Sequence, residues 1–371
     1  MEVSLKRDDL ARGLHLVQGV VERRNTLPIL ANVLIEPAEG GIALTATDME
    51  VGLRARVPAE VKGKGAVTVN ARKLYEISRE LAADELVLKS SVAGWVDVLA
   101  GRSKFKVVSL DAKDFPQLPL NSDQKGGVEL KIPVETLREM IDKTLFAVST
   151  DETRFNLSGV FMEAGEKSTL RMVATDGHRL AKIERQLADV KLGRGVIMPR
   201  KGLIEARKLI DEVGQGELVL VVSEKDVRVS AASVSFFMRL VEGEFPDYKQ
   251  VIPGAVRAKA RFNRDDLLAA LRRISLLASE RSRGVKFHLE KGRLEVSASN
   301  PDQGEASEDI EISYGGDPLT VGFNARYLID VLTAHGEGVV IELGLTDEVG
   351  PGVVVGTADA DYTYVVMPMR L

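Results

Sequence analysis

A chain of 371 residues with no cysteine can form no disulfide and no thiolate metal site, and it offers no thiol nucleophile. Hydrophobic residues at 44% and charged residues at 28% are the proportions of a globular protein with a packed core, and the length suits two or three domains. No stretch is long and apolar enough for a membrane span, and the opening Met1-Glu2-Val3-Ser4-Leu5-Lys6 lacks a signal-peptide core, so a cytoplasmic location is expected.

The net charge of −5 is unevenly distributed. Residues 1–125 carry 18 Lys and Arg against 17 Asp and Glu, and residues 126–253 carry 19 against 20. Residues 254–293 carry 11 basic and 4 acidic side chains, whereas 294–371 carry 2 and 14. This separation of sign predicts a basic helical layer and an acidic outer layer or edge in the last third.

In chain order the first predicted element is a short strand running into a helix, "VSLKRDDLARGLHLVQGVV" from Val3. A strand and turn follow in "LTATD", ending at Asp48, then a strand into a second helix in "VNARKL" at 69–74. Alternating strands close on "DFPQL", with Phe115-Pro116. The same four stations return from Val128, with "MVATD" ending at Asp176, "MPRKGL" at 198–203 and "EFPDY" at Phe245-Pro246. They return again from Ala258, with "VSASN" ending at Asn300, "FNARYL" at 323–328 and "VMPMRL" at Met367-Pro368. Repetition at this period defines three α+β units of two helices and roughly eight antiparallel strands each, expected at 1–125, 126–253 and 254–371. Turn formers in "LPLNSDQKGG" (118–127) and "VIPGAVRA" (251–258) mark the linkers.

Helical projection sets Arg72 and Arg79 opposite the stripe of Leu74 and Leu81, and Lys201 and Lys208 opposite Leu203 and Ile210. Arg72, Lys201 and Arg326 occupy one repeat station, a cation two residues before the station leucine, while Thr333 replaces the second cation in the third copy. Three cations at one station favour a functional basic face.

The stretch "MVATDGHRLAK" at 172–182 sets Asp176 and His178 two positions apart on a glycine turn, which raises the alternative of a hydrolase. Catalysis needs a nucleophile beside the imidazole, and a metal site needs further ligands. The four histidines, His15, His178, His288 and His335, fall at different repeat stations, and no phosphate-binding loop, His-Glu-x-x-His or Gly-x-Ser-x-Gly motif is present. The sequence therefore predicts no catalytic residue, no metal and no cofactor.

The repeat, together with "TLPILANVLIE" (26–36), "ATDGHRLA" (174–181), "PRKG" (199–202), "EFPDY" (244–248), "SRGVKF" (282–287), "NPDQ" (300–303), "GFN" (322–324) and the final "VMPMRL", closely resembles the bacterial DNA polymerase III β subunit family, the sliding clamps. The resemblance covers the whole chain. It implies a head-to-tail homodimer closed into a six-domain ring, with helices lining the hole and sheets forming the outer wall. Duplex DNA would pass through without sequence specificity, held by topology and by a basic inner wall.

The resemblance implies DNA contacts at Arg24, Arg72, Lys201 and Lys208. The loop 149–156 departs from the family pattern, having Asp151, Phe155 and Asn156 where a neutral amide and two tyrosines are familiar. A groove for short linear motifs maps to Leu157, Thr175, Gly177, His178, Arg179, Leu180, Pro246 and Val251, with the tail Val365, Val366, Met367, Pro368, Met369, Arg370 and Leu371. Its second part maps to Arg154, Asn324, Tyr327 and Met369. Gln250 stands where an arginine is familiar, so a less basic rim is expected. The implied partners are the polymerase catalytic subunit, the clamp loader, other DNA polymerases and repair proteins. Subunit contact maps to Leu276, Leu277, Asp302, Glu305 and Glu308 on one face and Lys73, Arg102 and Lys104 on the other, pairing Lys73 with Asp302, Arg102 with Glu308 and Lys104 with Glu305. On the helix "DDLLAALRRISLLA", Leu276 lies about 180° from the core position Leu267.

Overall fold

The computed structural model describes residues 1–21, 27–90, 94–118, 127–151, 153–188, 190–231 and 233–370. The first repeat runs β1 (Glu2–Lys6), α1 (Arg7–Val17), β2 (Asn32–Ala38), β3 (Gly41–Thr47), β4 (Val51–Pro58), β5 (Glu60–Lys62), β6 (Val67–Asn70), α2 (Ala71–Glu80), β7 (Glu85–Ser90), β8 (Trp95–Ala100) and β9 (Ser103–Val108). The second runs β10 (Val128–Pro133), α3 (Val134–Asp142), β11 (Gly159–Ala164), β12 (Thr169–Thr175), β13 (Arg179–Gln186), β14 (Val196–Pro199), α4 (Arg200–Val213), β15 (Glu217–Val222), β16 (Asp226–Ala231) and β17 (Val234–Arg239). The third runs β18 (Ala258–Asn263), α5 (Arg264–Ile274), β19 (Gly284–Glu290), β20 (Arg293–Asn300), β21 (Gly304–Glu311), β22 (Leu319–Asn324), α6 (Ala325–Ala334), β23 (Val340–Leu345), β24 (Gly352–Gly356) and β25 (Asp359–Val366).

Two structural units result. One comprises Met1–Glu135 and Lys201–Leu240, the other Thr136–Arg200 and Val241–Leu371, so the second repeat is divided between them. In the first unit β5-β1-β7-β8-β9 form one antiparallel sheet and β10-β15-β16-β17-β4-β3-β2-β6 a second. That second sheet passes from repeat to repeat where β17 pairs with β4, Phe237 opposite Gly52. In the other unit, β14-β11-β12-β13-β25-β24-β23-β18 pass between repeats where β13 pairs with β25, and β21-β20-β19-β22 form a separate sheet. β9 and β21 each lie at the end of their sheet.

Alternation builds these sheets: in β1, Val3 and Leu5 are buried between more exposed neighbours, and β19 buries Val285, Phe287 and Leu289 in the same way. Three helix starts are capped by asparagine. Asn70, Asn263 and Asn324 accept hydrogen bonds from the backbone N–H groups of Lys73, Asp265 and Arg326, at 2.9, 2.8 and 2.9 Å. Asn70 and Asn324 hold the same repeat station before the second helix, where the second copy has Pro199 instead.

The second unit also buries a histidine. His335, just past α6, is 4% exposed, and its ring lies 5.0 Å from that of Tyr362. A Cβ added at Gly356 would stand 3.0 Å from the imidazole, so a glycine is needed opposite it. Burial, reinforced by the nearby Lys143 cation, lowers the His335 pKa to about 4. Because the folded value lies below the unfolded one, His335 contributes stability above pH 6.5 that is lost as pH falls toward 4. Urea unfolding should show about 2 kcal/mol less stability at pH 5 than at pH 7 from this group. His335→Leu should remove that part of the slope; an unchanged slope would refute the assignment.

Candidate functional site

The turn between β12 and β13 is built by its own side chains. The Thr175 hydroxyl donates to the Arg179 carbonyl at 2.6 Å and accepts from the Gly177 N–H at 3.1 Å. The Asp176 carboxylate accepts from the N–H groups of His178 and Arg179 at 2.9 and 3.0 Å. Gly177 takes φ +88°, in the left-handed region that glycine reaches without strain.

The first repeat makes the same turn. Thr47 donates to Val51 at 2.8 Å and accepts from Met49, and Asp48 accepts from Glu50 and Val51 at 2.9 and 2.7 Å. "TD" is thus a turn motif first. Asp176 is occupied by its own backbone and by Arg179, and the exposed His178 ring has no hydrogen bond among the described residues. No group of three or more His, Asp or Glu among the described residues could hold a metal. The geometry assembles no hydrolase.

What it assembles is a junction of two strands over a buried apolar floor. β13 lies against β25, with Leu180 opposite Val365, and the ladder is extended where the Met367 N–H donates to the His178 carbonyl at 2.9 Å. The tail then crosses to β22, where the Met369 N–H donates to the Gly322 carbonyl at 2.9 Å. Leu180 and Val365 form a buried floor with Val173 and Tyr248, against which Phe161, Phe245 and Ile252 pack. Pro246, Val251 and Met367 stand exposed above it, and Leu157 is buried at 9% exposure. Gln250 donates to Asp247 at 3.0 Å, which holds its amide on its own short turn.

Several expected groove residues serve as supports. Arg179 points inward, 9% exposed: it donates to Asp176 at 3.1 Å, to Asp330 at 2.7 Å and to the Phe146 carbonyl, with the Tyr327 ring centre 4.5 Å from its guanidinium. Burial opposes its charge, but Asp330 and Asp176 outweigh it and hold the guanidinium above its ordinary range. Val366 is buried in β25, Asn324 is spent on the α6 cap, and Arg154 donates to the Asp176 carbonyl at 3.1 Å. Arg370 is exposed, while Leu371 lies outside the described residues.

In the first unit, the expected DNA-facing cations are present but paired. Arg72 donates to Glu76 at 3.1 Å with both side chains exposed. Lys208, 56% exposed, pairs at 2.7 Å with Glu205, which is buried. Lys201 pairs with Asp48, whose side chain is 3% exposed, so its charge is committed to a buried carboxylate. The ion pair makes Lys201 a brace for the Asp48 turn. Arg24 lies outside the described residues.

The two terminal strands carry opposite charge. β9 bears Lys104 and Lys106, with Arg102 just before it, and β21 bears Glu305, Glu308 and Asp309, with Asp302 just before it. Leu276 is 76% exposed, but for a reason the helical projection did not give: α5 ends at Ile274 and Leu276 lies in a 3-10 turn, Ser275–Leu277. Lys73 donates to Glu76 at 2.6 Å, and Arg273 of α5 donates to Glu308 at 2.9 Å, so both groups have partners within the chain. Sequence reading missed Phe105, 39% exposed at the open edge of β9 although its pairing with the buried Val98 sets it on the core side. The signal was available: an apolar residue on the inner face of an edge strand.

A chain whose strands and paired helices recur three times, with sheets shared between copies, is an α+β repeat protein. Comparison with known proteins specifies which. Residues 1–119, 131–247 and 249–370 match the N-terminal, central and C-terminal domains of the DNA polymerase III beta subunit. The chain is 38% identical over 382 residues to the beta sliding clamp of Proteus mirabilis and 38% identical over 374 residues to that of Pseudomonas aeruginosa, each chain covered in full. The crystal structure of a DnaN sliding clamp from Bartonella birtlesii bound to griselimycin matches at TM-score 0.94 and 36% identity, again over all of both chains. The chain belongs to the DNA polymerase III beta subunit family, the sliding clamps of bacterial replication. It is a DNA sliding clamp, a non-catalytic processivity subunit.

The turn is expected to matter more to stability than the imidazole does. Asp176→Ala removes the acceptor of two N–H groups and a partner of the buried Arg179, and should cost about 2–4 kcal/mol in urea unfolding. His178→Ala should stay within about 0.5 kcal/mol of the parent. Equal effects would show that the carboxylate does not hold the turn.

Proposed function

We propose that two copies join head to tail into a six-domain ring around duplex DNA, and that the groove beside Asp176-Gly177-His178 takes short apolar segments of partner proteins. The observation that carries the groove is the tail. Met367 is fixed by a backbone bond to the turn before β13 and Met369 by one to β22, which holds an exposed methionine beside a buried apolar floor. Aliphatic walls with an adaptable thioether suit a site that accepts several sequences. The partners that fit are the DNA polymerase III catalytic subunit, the clamp loader, other DNA polymerases and repair proteins, all in the cytoplasm. Repeat boundaries at 125/126 and 253/254 would divide each chain into three clamp domains.

Ring closure would pair β9 of one copy with β21 of the next, satisfying two strand edges at once and setting Arg102, Lys104 and Lys106 against Glu305, Glu308 and Asp309. Phe105 and Leu276 supply the apolar surface that such a contact would cover. Exposed ion pairs contribute only about 0–1 kcal/mol each, so the apolar side chains should dominate and the charges should select orientation. DNA would be held by topology, with Arg72 and Lys208 touching phosphates.

Sedimentation should show monomers at micromolar concentration for Leu276→Ala combined with Leu277→Ala, and for Phe105→Ala a weakened dimer. Reversing Glu305 and Glu308 to Lys should weaken it less and respond to salt. A tight dimer in the leucine double variant would refute the interface.

Loaded rings should remain on nicked circular DNA in salt that abolishes direct phosphate binding, and leave once the circle is cut. Direct binding through several phosphates falls about 10³–10⁵-fold between 50 and 200 mM salt, which sets the contrast. Equal loss from both forms would exclude a closed ring.

Truncation should begin at Met367, since Val365 and Val366 are core residues of β25. Removing 367–371 should weaken griselimycin or a Leu- and Phe-bearing peptide at least tenfold, about 1.4 kcal/mol, with the dimer intact. Unchanged affinity would refute the groove.

A further inference from the structure

The outer wall of the groove, Pro246 to Val251, lies on a short stretch with a single 3-10 turn, Tyr248–Val251. Local bonds shape that turn: Asp247 accepts from the Lys249 N–H at 3.3 Å and from the Gln250 amide at 3.0 Å. Neither bond ties the wall to the sheet. Tyr248 does. Its ring enters the apolar floor, and its hydroxyl passes beyond it to a polar cluster on β11, β12 and β13.

There the Tyr248 hydroxyl donates to Glu163 at 2.5 Å and accepts from Arg171 at 2.9 Å. Arg171 also bridges Glu163 at 2.6 Å and Glu184 at 3.0 Å, and Lys182 joins Glu184 at 2.9 Å. The anchor is therefore braced across three strands. Burial, followed by the Glu163 carboxylate, pushes the phenol above its ordinary range, so it remains a neutral donor. Phe245 strengthens the seat by stacking on Phe161 of β11, ring centres 4.9 Å apart and planes within 6°.

We propose that the Tyr248 hydroxyl, clamped by Glu163 and Arg171, is a latch that holds the Pro246–Val251 wall in the position that accepts a peptide. Tyr248, Glu163 and Arg171 act as positioning residues: Tyr248 contributes to the floor, and the two charged side chains sit behind it. The inference rests on the groove being the peptide site. Its physical signature differs from that of a contact residue. A loosened wall lowers the fraction of protein competent to bind, and apparent affinity falls by that fraction. The bound state keeps its contacts, so the loss appears in the association rate. Removing a contact residue instead speeds dissociation.

The test measures association and dissociation rates of griselimycin on the full-length dimer. Tyr248→Phe deletes one oxygen and leaves Glu163 paired with Arg171; Glu163→Gln weakens the clamp from the other side, with Arg171 still held by Glu184. Both should weaken binding about tenfold through slower association, with dissociation and dimer mass unchanged, and Leu157→Ala should speed dissociation. Normal association in both latch variants, while Leu157→Ala weakens binding, overturns the latch and leaves the groove standing. Faster dissociation in the latch variants also overturns it, assigning Tyr248 to packing alone. Unchanged affinity in Leu157→Ala and in the 367–371 truncation as well would overturn both groove and latch.

Discussion

The site depends on one ladder, the antiparallel pairing of β13 with β25, Arg179 opposite Val366 through Ile183 opposite Tyr362. It makes one sheet of strands from two repeats and delivers the last residues of the chain beside a turn almost two hundred residues earlier. Without it Leu180 and Val365 would share no floor. Arg179 fixes the same junction from below, joining the Asp176 turn to Asp330 of α6. A salt-bridged arginine with this little exposure stabilises its surroundings only while its carboxylates stay in place, and the turn therefore tolerates little change at Asp176.

Much of this was legible in the sequence. The threefold repeat fixed the fold class and the count of helices, since a period near 125 residues with strand, helix, turn and second helix in constant order admits few alternatives. The turn itself was readable because "TD" closes a strand in two copies, while the hydrogen bonds by which Thr175 and Asp176 build it were not. Long-range partnerships were not readable. Lys201 and Asp48 lie 153 residues apart, and outward helical projection says nothing about which carboxylate reaches back. Tyr248 and Glu163 lie 85 apart, with no spacing rule to join them. Leu276 was placed on the correct side for the wrong reason, because helical periodicity was continued two residues past the true end of α5. Phe105 was not singled out, and its exposure follows from the open edge of β9, which no neighbouring strand covers.

The paired cations bear on how such a protein can slide. Arg72 shares its charge with the exposed Glu76, and exchanging that partner for a phosphate costs little in high dielectric. Lys208 faces a stiffer choice, since leaving Glu205 strands a buried carboxylate, and Lys201 is more constrained still by Asp48. Facing DNA as proposed, a graded set of cations of this kind would attract a polyanion over a surface without gripping any one phosphate. That is compatible with retention by topology, in which affinity for a fixed position would only impede movement.

The repeats also show how two equivalent turns come to carry different floors. In the first, the Arg239 N–H donates to the Glu50 carbonyl at 2.8 Å, as the Met367 N–H does to His178, so the strand that ends beside the turn is reproduced bond for bond. The floor is not. Gly52 stands where the second copy has Leu180, and a Cβ there would lie 2.1 Å from the Phe237 ring and 2.9 Å from Leu118. The space beside Gly52 is filled by the chain's own residues, and Leu118 belongs to the segment that leads out of the repeat. One backbone frame thus yields a filled core where a large ring opposes glycine, and the floor of the proposed groove where leucine opposes valine. The decision rests on the side chains at two paired positions, not on the turn that first drew attention.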